Sequence, residues 1–219
     1  MGFGFKVEIW GDHALFSRPE LKVERVSYDV MTPSAARGIL EAVMWKPAIR
    51  YVIDEIAVCS EIKFENIRRN EVSFTANGTI NNMTPKSAVE GRQQRATLVL
   101  KDVRYIVTAH FEMTDKAEAA DNEGKFTDMI RRRLTKGQNF HMPYLGTREF
   151  PANIRLIDGD AAPKPIDVTR PLGLMFHDMD YIKEKNKAGE EIVTEWRPTY
   201  FMAELKNGVM DLRNAEVLR

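Results

Sequence analysis

Several features are scarce in this sequence of 219 residues, and each scarcity excludes a class of protein. A single cysteine, Cys59, excludes an internal disulfide framework and any zinc site built from cysteines. No stretch approaches the roughly 20 apolar residues that a membrane helix needs. The N-terminal MGFGFKVEIW lacks the charged and then apolar regions of a signal peptide. We therefore expect a cytoplasmic protein that does not enter a membrane.

Charge of one sign is also lacking, because 32 basic residues are balanced by 32 acidic ones. Composition therefore gives no argument for nucleic-acid binding, which would have to rest on basic residues gathered on one surface. The patterns GxxxxGKS/T, HExxH, GxSxG and paired CxxC are missing, and so is a dense cluster of Asp, Glu and His. The last absence argues against a metal-dependent nuclease, and we expect no cofactor and no metal.

The sequence does contain enough apolar residues, 43%, to form a proper core. Their spacing predicts strands and helices in alternation. The predicted elements are a strand at 5–10, a helix from Thr32 and Pro33 to about Pro47, a strand at 49–62 with a partner at 63–74, a strand pair at 97–100 and 105–111 with its turn at 101–104, a second helix, and a strand near 145–157. Residues 75–91, rich in Asn, Gly, Thr, Pro and Ser, predict an exposed loop.

This order is a β-α-β-β-α-β plan and predicts an α+β protein with a ferredoxin-like (RRM-like) domain over residues 1–157. Residues 158–219 begin with a connection rich in proline and glycine. Short extended pieces follow at 174–179, 192–196 and 199–205. We interpret these pieces as a small antiparallel β-sheet domain appended to the first.

The second helix and the loop after it, residues 121–150, concentrate basic residues in an otherwise neutral chain. Between Lys125 and Arg148 there are six Lys or Arg residues against one acid, Asp128. Asp121 or Asn122 can cap the helix, apolar residues recur along it at helical spacing, and Gly137 ends it. A helix followed by a basic loop suits the binding of a polyanion through its phosphates, although a solvated charged face would have the same composition.

The candidate RNA-binding residues follow from this charge. They are Arg131, Arg132, Lys136, Tyr144 and Arg148 in the basic segment, and Arg68 and Arg69 in a second group that also holds Lys86, Arg92 and Arg95. Two histidines are candidates for proton transfer, because their ordinary pKa of about 6.5 allows either role near neutrality. His141 lies in the basic loop beside Tyr144, and His13 follows the first strand. His141 could instead be a loop histidine that caps a carbonyl, and His13 a lone exposed histidine without a role.

Three segments, 11–56, 95–115 and 121–154, resemble the Cas5 proteins of type I-C CRISPR systems, which belong to the RAMP superfamily. They include the strings SAARGILEAVMWKPAIRYVIDEI and GKFTDMIRRRLTKGQNFHMPYLG. The resemblance implies a ferredoxin-like domain with an appended β-domain. It also implies a protein that cuts the CRISPR repeat RNA without a metal, stays on the 5′ handle of the guide RNA, and assembles with the other subunits of the type I-C interference complex. Double-stranded DNA is a further candidate ligand.

The resemblance also implies the chemistry, in which the ribose 2′-OH attacks the neighbouring phosphate and leaves a 2′,3′-cyclic phosphate and a 5′-OH. The family places an aromatic residue or histidine at the end of the first helix and a Lys-His pair at the start of the second. Here Met44 takes the first position and Lys125 and Phe126 take the pair. Only Lys125 keeps a titratable side chain, so His13 and His141 become candidate replacements.

Two hypotheses follow. The protein is an active repeat-processing endoribonuclease, or it is a structural subunit that binds guide RNA and cleaves weakly or not at all. A third, an RNA-binding regulator outside this family, requires the resemblance to be accidental.

Overall fold

The computed structural model describes residues 4–21, 23–73, 89–159, 162–185 and 191–219. The elements in these ranges are β1 (Phe5–Ala14), α1 (Pro33–Val43), β2 (Ile49–Val58), β3 (Lys63–Val72), β4 (Arg92–Met113), α2 (Glu123–Lys136), β5 (Asn153–Leu156), β6 (Arg170–Lys185), β7 (Glu191–Leu205) and β8 (Val209–Asp211). Most of the loop predicted at 75–91, with Lys86, lies outside the described residues. Neither of these two helices has the length and apolar character that a membrane span requires.

The main sheet has six strands in the order β5-β1-β4-β2-β8, and β3 also pairs with β4. Each of these pairings is antiparallel. Because β1 and β2 are both antiparallel to β4, they run parallel to each other, and the connection between them contains α1. The protein is therefore a mixed α/β fold with mostly antiparallel strands, and both helices contribute to one hydrophobic core with the sheet.

The long strand β4 corrects one prediction. The two segments 97–100 and 105–111 are not a hairpin but parts of one strand of 22 residues. The predicted partner of the second strand is also different, because β3 pairs with the first half of β4 and β2 with its second half. Asp102 has a φ of 50° at the junction between the halves. The left-handed backbone of Asp102 interrupts the extended conformation of the strand. In the sequence, the polar residues at this interruption resemble a turn between two strands.

The helix ends follow the predicted capping chemistry. Thr32 caps α1 by accepting a hydrogen bond from the backbone N–H of Ala35, and Pro33 takes the first position. In α2 the cap is Asn122 rather than Asp121, and its side chain accepts from the N–H of Lys125. Gly137 closes α2 with a φ of 63°, as a left-handed C-terminal cap.

The C-terminal residues form a second sheet and then return to the first. Strands β6 and β7 make a two-stranded antiparallel ribbon in place of the three short pieces predicted. The following strand, β8, pairs with β2 at the edge of the main sheet. Side chains of β6 and β7, among them Met175 and Phe201, lie in the same core cluster as the helices. The proposed division between residues 157 and 158 stays a prediction.

The loop after α2 is fixed to the end of β1 by a close backbone approach. Leu15 donates a backbone hydrogen bond to the carbonyl of Leu145 at 3.0 Å, and Leu145 is fully buried. Gly146 has a φ of 85°, and a Cβ atom built on it would lie 2.0 Å from the carbonyl oxygen of Leu15. Only glycine satisfies both the backbone conformation and the spacing at this point.

We therefore expect Gly146→Ala to lower the free energy of unfolding by about 3 kcal/mol or more, because overpacking adds to the cost of a left-handed alanine. Gly137→Ala is the matched control, since Gly137 is also left-handed but its Cβ would meet nothing within 4 Å. That variant should lose roughly 1–2 kcal/mol. Urea denaturation of both variants measures the difference. Equal losses would show that the approach to Leu15 is not a constraint.

Candidate nucleic-acid interface

The basic loop and the outer side of α1 enclose an open groove of about 730 Å³, which we call the α1 groove. Its lining residues are Gly38, Glu41, Ala42, Trp45, Phe140, His141, Met142, Tyr144 and Arg148. Three large apolar side chains here are mostly exposed: Trp45 at 55%, Phe140 at 68% and Met142 at 70%. Exposed aromatic rings beside cations are the combination that stacks the bases and contacts the phosphates of single-stranded nucleic acids.

Backbone hydrogen bonds hold the loop against the end of α1. The N–H groups of Phe140 and His141 both donate to the carbonyl of Ala42, at 2.8 and 3.0 Å. The guanidinium of Arg133 donates to the carbonyl of Val43 at 2.7 Å. These bonds satisfy carbonyls that a helix end leaves without partners. Because the backbone supplies the attachment, the side chains of the loop remain free to face the groove.

A buried tyrosine supports the turn that presents Trp45. The hydroxyl of Tyr51 donates to the carbonyl of Met44 at 2.8 Å. Burial raises the pKa of Tyr51 well above its ordinary value, so the phenol remains a neutral donor. Tyr51 is therefore a structural residue that orients the chain between α1 and β2.

The lining of the groove contains one carboxylate, Glu41, and one Lys or Arg residue, Arg148. Its one carboxylate, Glu41, accepts a hydrogen bond from Arg37 at 2.6 Å. Arg37 also donates to both carboxylate oxygens of Asp178 on β6, at 2.8 and 3.0 Å. By contrast, among the described residues no hydrogen-bond or ion-pair partner is found for the side chain of Arg148 in the groove, nor for those of Arg132 and Lys136 on α2. Their positive charge is available to a ligand.

Lys125 lies at the other end of α2 from the groove loop. Its Nζ donates to Asp121 at 2.8 Å, and this hydrogen bond is the main reason that the pKa of Asp121 is lowered. Lys46 lowers the same pKa through its charge, so it lies near this pair. Lys125 precedes Lys136 by 11 residues, about 16 Å along a helix axis. Lys125 and His141 therefore belong to different ends of the interface.

Met44 and Phe126, at the positions where the resemblance implies titratable groups, belong to the core. Met44 is 1% exposed and Phe126 is 2% exposed. The ring of Phe126 packs edge-on against Phe111 at a centroid distance of 6.3 Å. Neither side chain can move a proton, and neither reaches solvent.

His13 lies outside the α1 groove. Its Nε2 is 3.0 Å from Glu65 on β3, and its ring packs against Phe150 at 5.8 Å. The hydrogen bond to His13 is the main cause of a lowered pKa for Glu65. His13 lines a separate cavity of about 270 Å³. The structure thus does not bring His13 and His141 into one cavity.

The remaining predicted RNA-binding residues differ in how far their side chains are already engaged by contacts within the protein. Arg69 donates to Glu149 at 2.6 and 2.9 Å and to Glu71 and Thr97 at 3.1 Å, so it ties β3 to the end of the groove loop. Arg68 is exposed. Arg131 has only a long contact of 3.4 Å with the exposed Asp158. Tyr144 is part of the groove wall.

Sequence reasoning missed Trp45, Phe140, Met142 and Lys46 as members of the interface. A usable signal existed for the first three, because large apolar side chains occur in loop segments beside basic residues, where a core role is hard to assign. Their exposure depends on how α1 and the loop pack, which spacing alone does not determine.

Comparison with known proteins agrees with these features. A family model described as CRISPR-associated protein (Cas_Cas5), of the Cas5d type, matches residues 4–213. A protein of Mannheimia succiniciproducens named CRISPR pre-crRNA endoribonuclease Cas5d is 47% identical, over 94% of this chain and 93% of its own. A protein of Thermus thermophilus with the same name is 40% identical, over 94% and 90%.

Solved structures share the fold at lower identity. A functionally uncharacterized protein from Streptococcus mutans superimposes with a TM-score of 0.69 at 23% identity, covering 99% of this chain and 97% of the other. A structure described as a CRISPR-associated protein gives 0.69 at 22% identity, covering 99% and 96%. From the family match and the two relatives, the chain belongs to the CRISPR-associated Cas5 family.

Proposed function

We propose that this protein binds and cleaves CRISPR repeat RNA without a metal, and then holds the 5′ handle of the guide RNA within the type I-C interference complex, as part of antiviral defence. The observation that carries the proposal is the α1 groove, where the exposed rings of Trp45 and Phe140 lie beside Arg148, a cation that has no partner in the described chain. The name shared by the two relatives, CRISPR pre-crRNA endoribonuclease Cas5d, supports the substrate and the reaction.

We further propose that the fold is a ferredoxin-like domain with additions. The strand order β5-β1-β4-β2 and the chain order β1-α1-β2-β4-α2-β5 correspond to a β-α-β-β-α-β unit with antiparallel neighbours. On this interpretation β3 and β8 extend the sheet, and the β6-β7 ribbon is the appended element.

Cleavage would centre on Lys125. Attack by the 2′-OH forms the 2′-O–P bond and breaks the P–O5′ bond, leaving a 2′,3′-cyclic phosphate and a 5′-OH. The ammonium group of Lys125 stabilises the charge that grows on the phosphate and donates a proton to the departing 5′ oxygen. Lys46 adds positive charge at the same end of α2. The proton of the 2′-OH passes to water, because Met44 and Phe126 offer no base.

The buried Met44 and Phe126 favour a second candidate function, a guide-RNA-binding subunit with weak cleavage. A positioned base contributes about 10²- to 10⁴-fold to a rate, so a protein without one should cut slowly while it binds well. Binding and cleavage should then respond to different substitutions.

For binding, we expect that replacing Arg131, Arg132 and Lys136 by Ala weakens the affinity for all RNAs to a similar degree, since phosphate contacts do not read sequence. The slope of log affinity against log salt should also become shallower by about 0.7 for each phosphate that is no longer neutralised. Fluorescence anisotropy with repeat RNA, an unrelated RNA and duplex DNA measures this. The triple change of Lys6, Arg50 and Arg213 to Ala alters the net charge equally and is the control. An equal loss in both variants would mean that α2 has no special role.

For cleavage, we expect Lys125→Ala to remove most of the activity on repeat RNA in EDTA while changing affinity only a few-fold, because one phosphate contact is a small part of the total. Single-turnover kinetics and analysis of the RNA ends measure both. Lys116→Ala, an exposed lysine without a side-chain partner in the described chain, is the control. His141→Ala should lower the affinity for repeat RNA by a larger factor than it lowers the cleavage rate of the bound RNA.

The reverse result, in which His141→Ala abolishes cleavage and Lys125→Ala does not, would place the reaction in the α1 groove. Absence of cleavage in the wild-type protein, with tight binding retained, would favour the structural subunit. The substitutions Phe126→His and Met44→Tyr, although they recreate the family residues, should destabilise the protein because both positions are buried.

A further inference from the structure

A second cavity continues the α1 groove toward the start of α1. It has a volume of about 330 Å³, and it shares Gly38 and Tyr144 with the α1 groove. Its other lining residues include Phe16, Ser17, Ser34, Ile39 and Phe176. The two spaces are therefore adjacent along the helix, with Gly38 and Tyr144 at their boundary, and together we call them the channel.

Gly38 has no structural reason within the described chain to be a glycine. It lies in the middle of α1 and is exposed, and a Cβ atom built on it would meet nothing within 4 Å. Its φ is not in the left-handed region that favours glycine. A glycine in a helix interior is destabilising relative to alanine. The open space above it lies at the boundary of the two cavities, and no side chain of residue 38 occupies that boundary.

The second cavity has the chemistry of a site for a flat, partly polar ring. Phe16, Ile39 and Phe176 provide apolar walls, and the first two are almost fully buried. The hydroxyl groups of Ser17 and Ser34 provide polar groups on the lining. The volume lies at the lower end of the range for small-molecule pockets and suits one nucleobase with its sugar.

One cation of the channel is available to a phosphate group. Arg148 lines the wider cavity without a partner in the described chain, while Glu41 is paired with Arg37, which also binds Asp178. Tyr144 separates the two cavities, where its ring can stack on a base entering from the wider side. Walls of this kind fit unpaired nucleotides, whereas a base pair is too large for the second cavity.

We propose that this second cavity holds one unpaired nucleobase of the bound RNA, while the sugar-phosphate chain crosses α1 at Gly38. The proposal rests on the proposed RNA-binding function and adds a specificity site to it. The hydroxyl groups of Ser17 and Ser34 contact the base edge, and Gly38 sets how closely the chain approaches the helix. The affinity for RNA then depends more on the base in this cavity than on the neighbouring bases.

The test combines variants at Gly38 with abasic RNA. Repeat RNAs, each lacking one base in the unpaired flanks, are measured by anisotropy against the wild type, Gly38→Ala and Gly38→Val. For the wild type, removal of one particular base should weaken binding about 5- to 100-fold, the value of one stacked base. With Gly38→Val the intact RNA should bind as weakly as the abasic one, and the abasic RNA should lose nothing further.

The stability of the variants separates binding from folding. Gly38→Ala should raise the melting temperature, because alanine is the better helix former and its Cβ meets no atom, yet it should weaken binding of the intact RNA. Tyr144→Phe should retain the base preference and Tyr144→Ala should lose it. If the wild type binds repeat RNA but no single base matters, or if Gly38→Val binds as the wild type does, the proposed base site is wrong. If the wild type does not bind repeat RNA, the proposed function itself fails.

Discussion

The interface depends on one close approach, that of Gly146 to the carbonyl of Leu15 at the end of β1. This contact and the neighbouring hydrogen bond from Leu15 to Leu145 fix the far end of the loop that follows α2. The near end is fixed by the carbonyl of Ala42, which accepts from two successive backbone N–H groups. A loop held at both ends by its backbone can expose Phe140 and Met142 to solvent without collapsing onto the core.

The two ends of the interface have different chemistry. The α1 groove offers exposed rings and Arg148, a cation without a partner in the described chain, and such a combination binds single-stranded nucleic acids broadly. The start of α2 offers Lys125 and Lys46 around Asp121, an arrangement suited to one localised negative charge. Arg37 joins the groove to the β6-β7 ribbon, because its guanidinium donates both to Glu41 in the groove and to Asp178 on the ribbon.

Local chemistry explains what could be predicted from the sequence. Thr32, Pro33 and Gly137 define helix ends by hydrogen bonds within a few residues, so their roles follow from neighbouring residues alone. The predicted hairpin at 97–111 is wrong because a left-handed Asp102 and a true turn leave similar sequence signals. The exposure of Trp45 depends on how α1 and the loop after α2 pack, so the sequence offered only its place beside a basic residue as a signal. The site roles of Lys125 and His141 stay predictions, since they depend on a bound RNA.

The length of strand β4 has a consequence for how the chain folds. The strand pairs with β1, β2 and β3, and Phe5 at the start of the chain meets Ala109. The sheet thus has no local nucleus among its first strands, and its contact order is high, which slows folding. During synthesis β1 and β2 lack the strand that lies between them, β4, until residue 113 has been added to the chain. In the nascent chain, β1 and β2 can therefore complete their part of the sheet only after β4 has been synthesised.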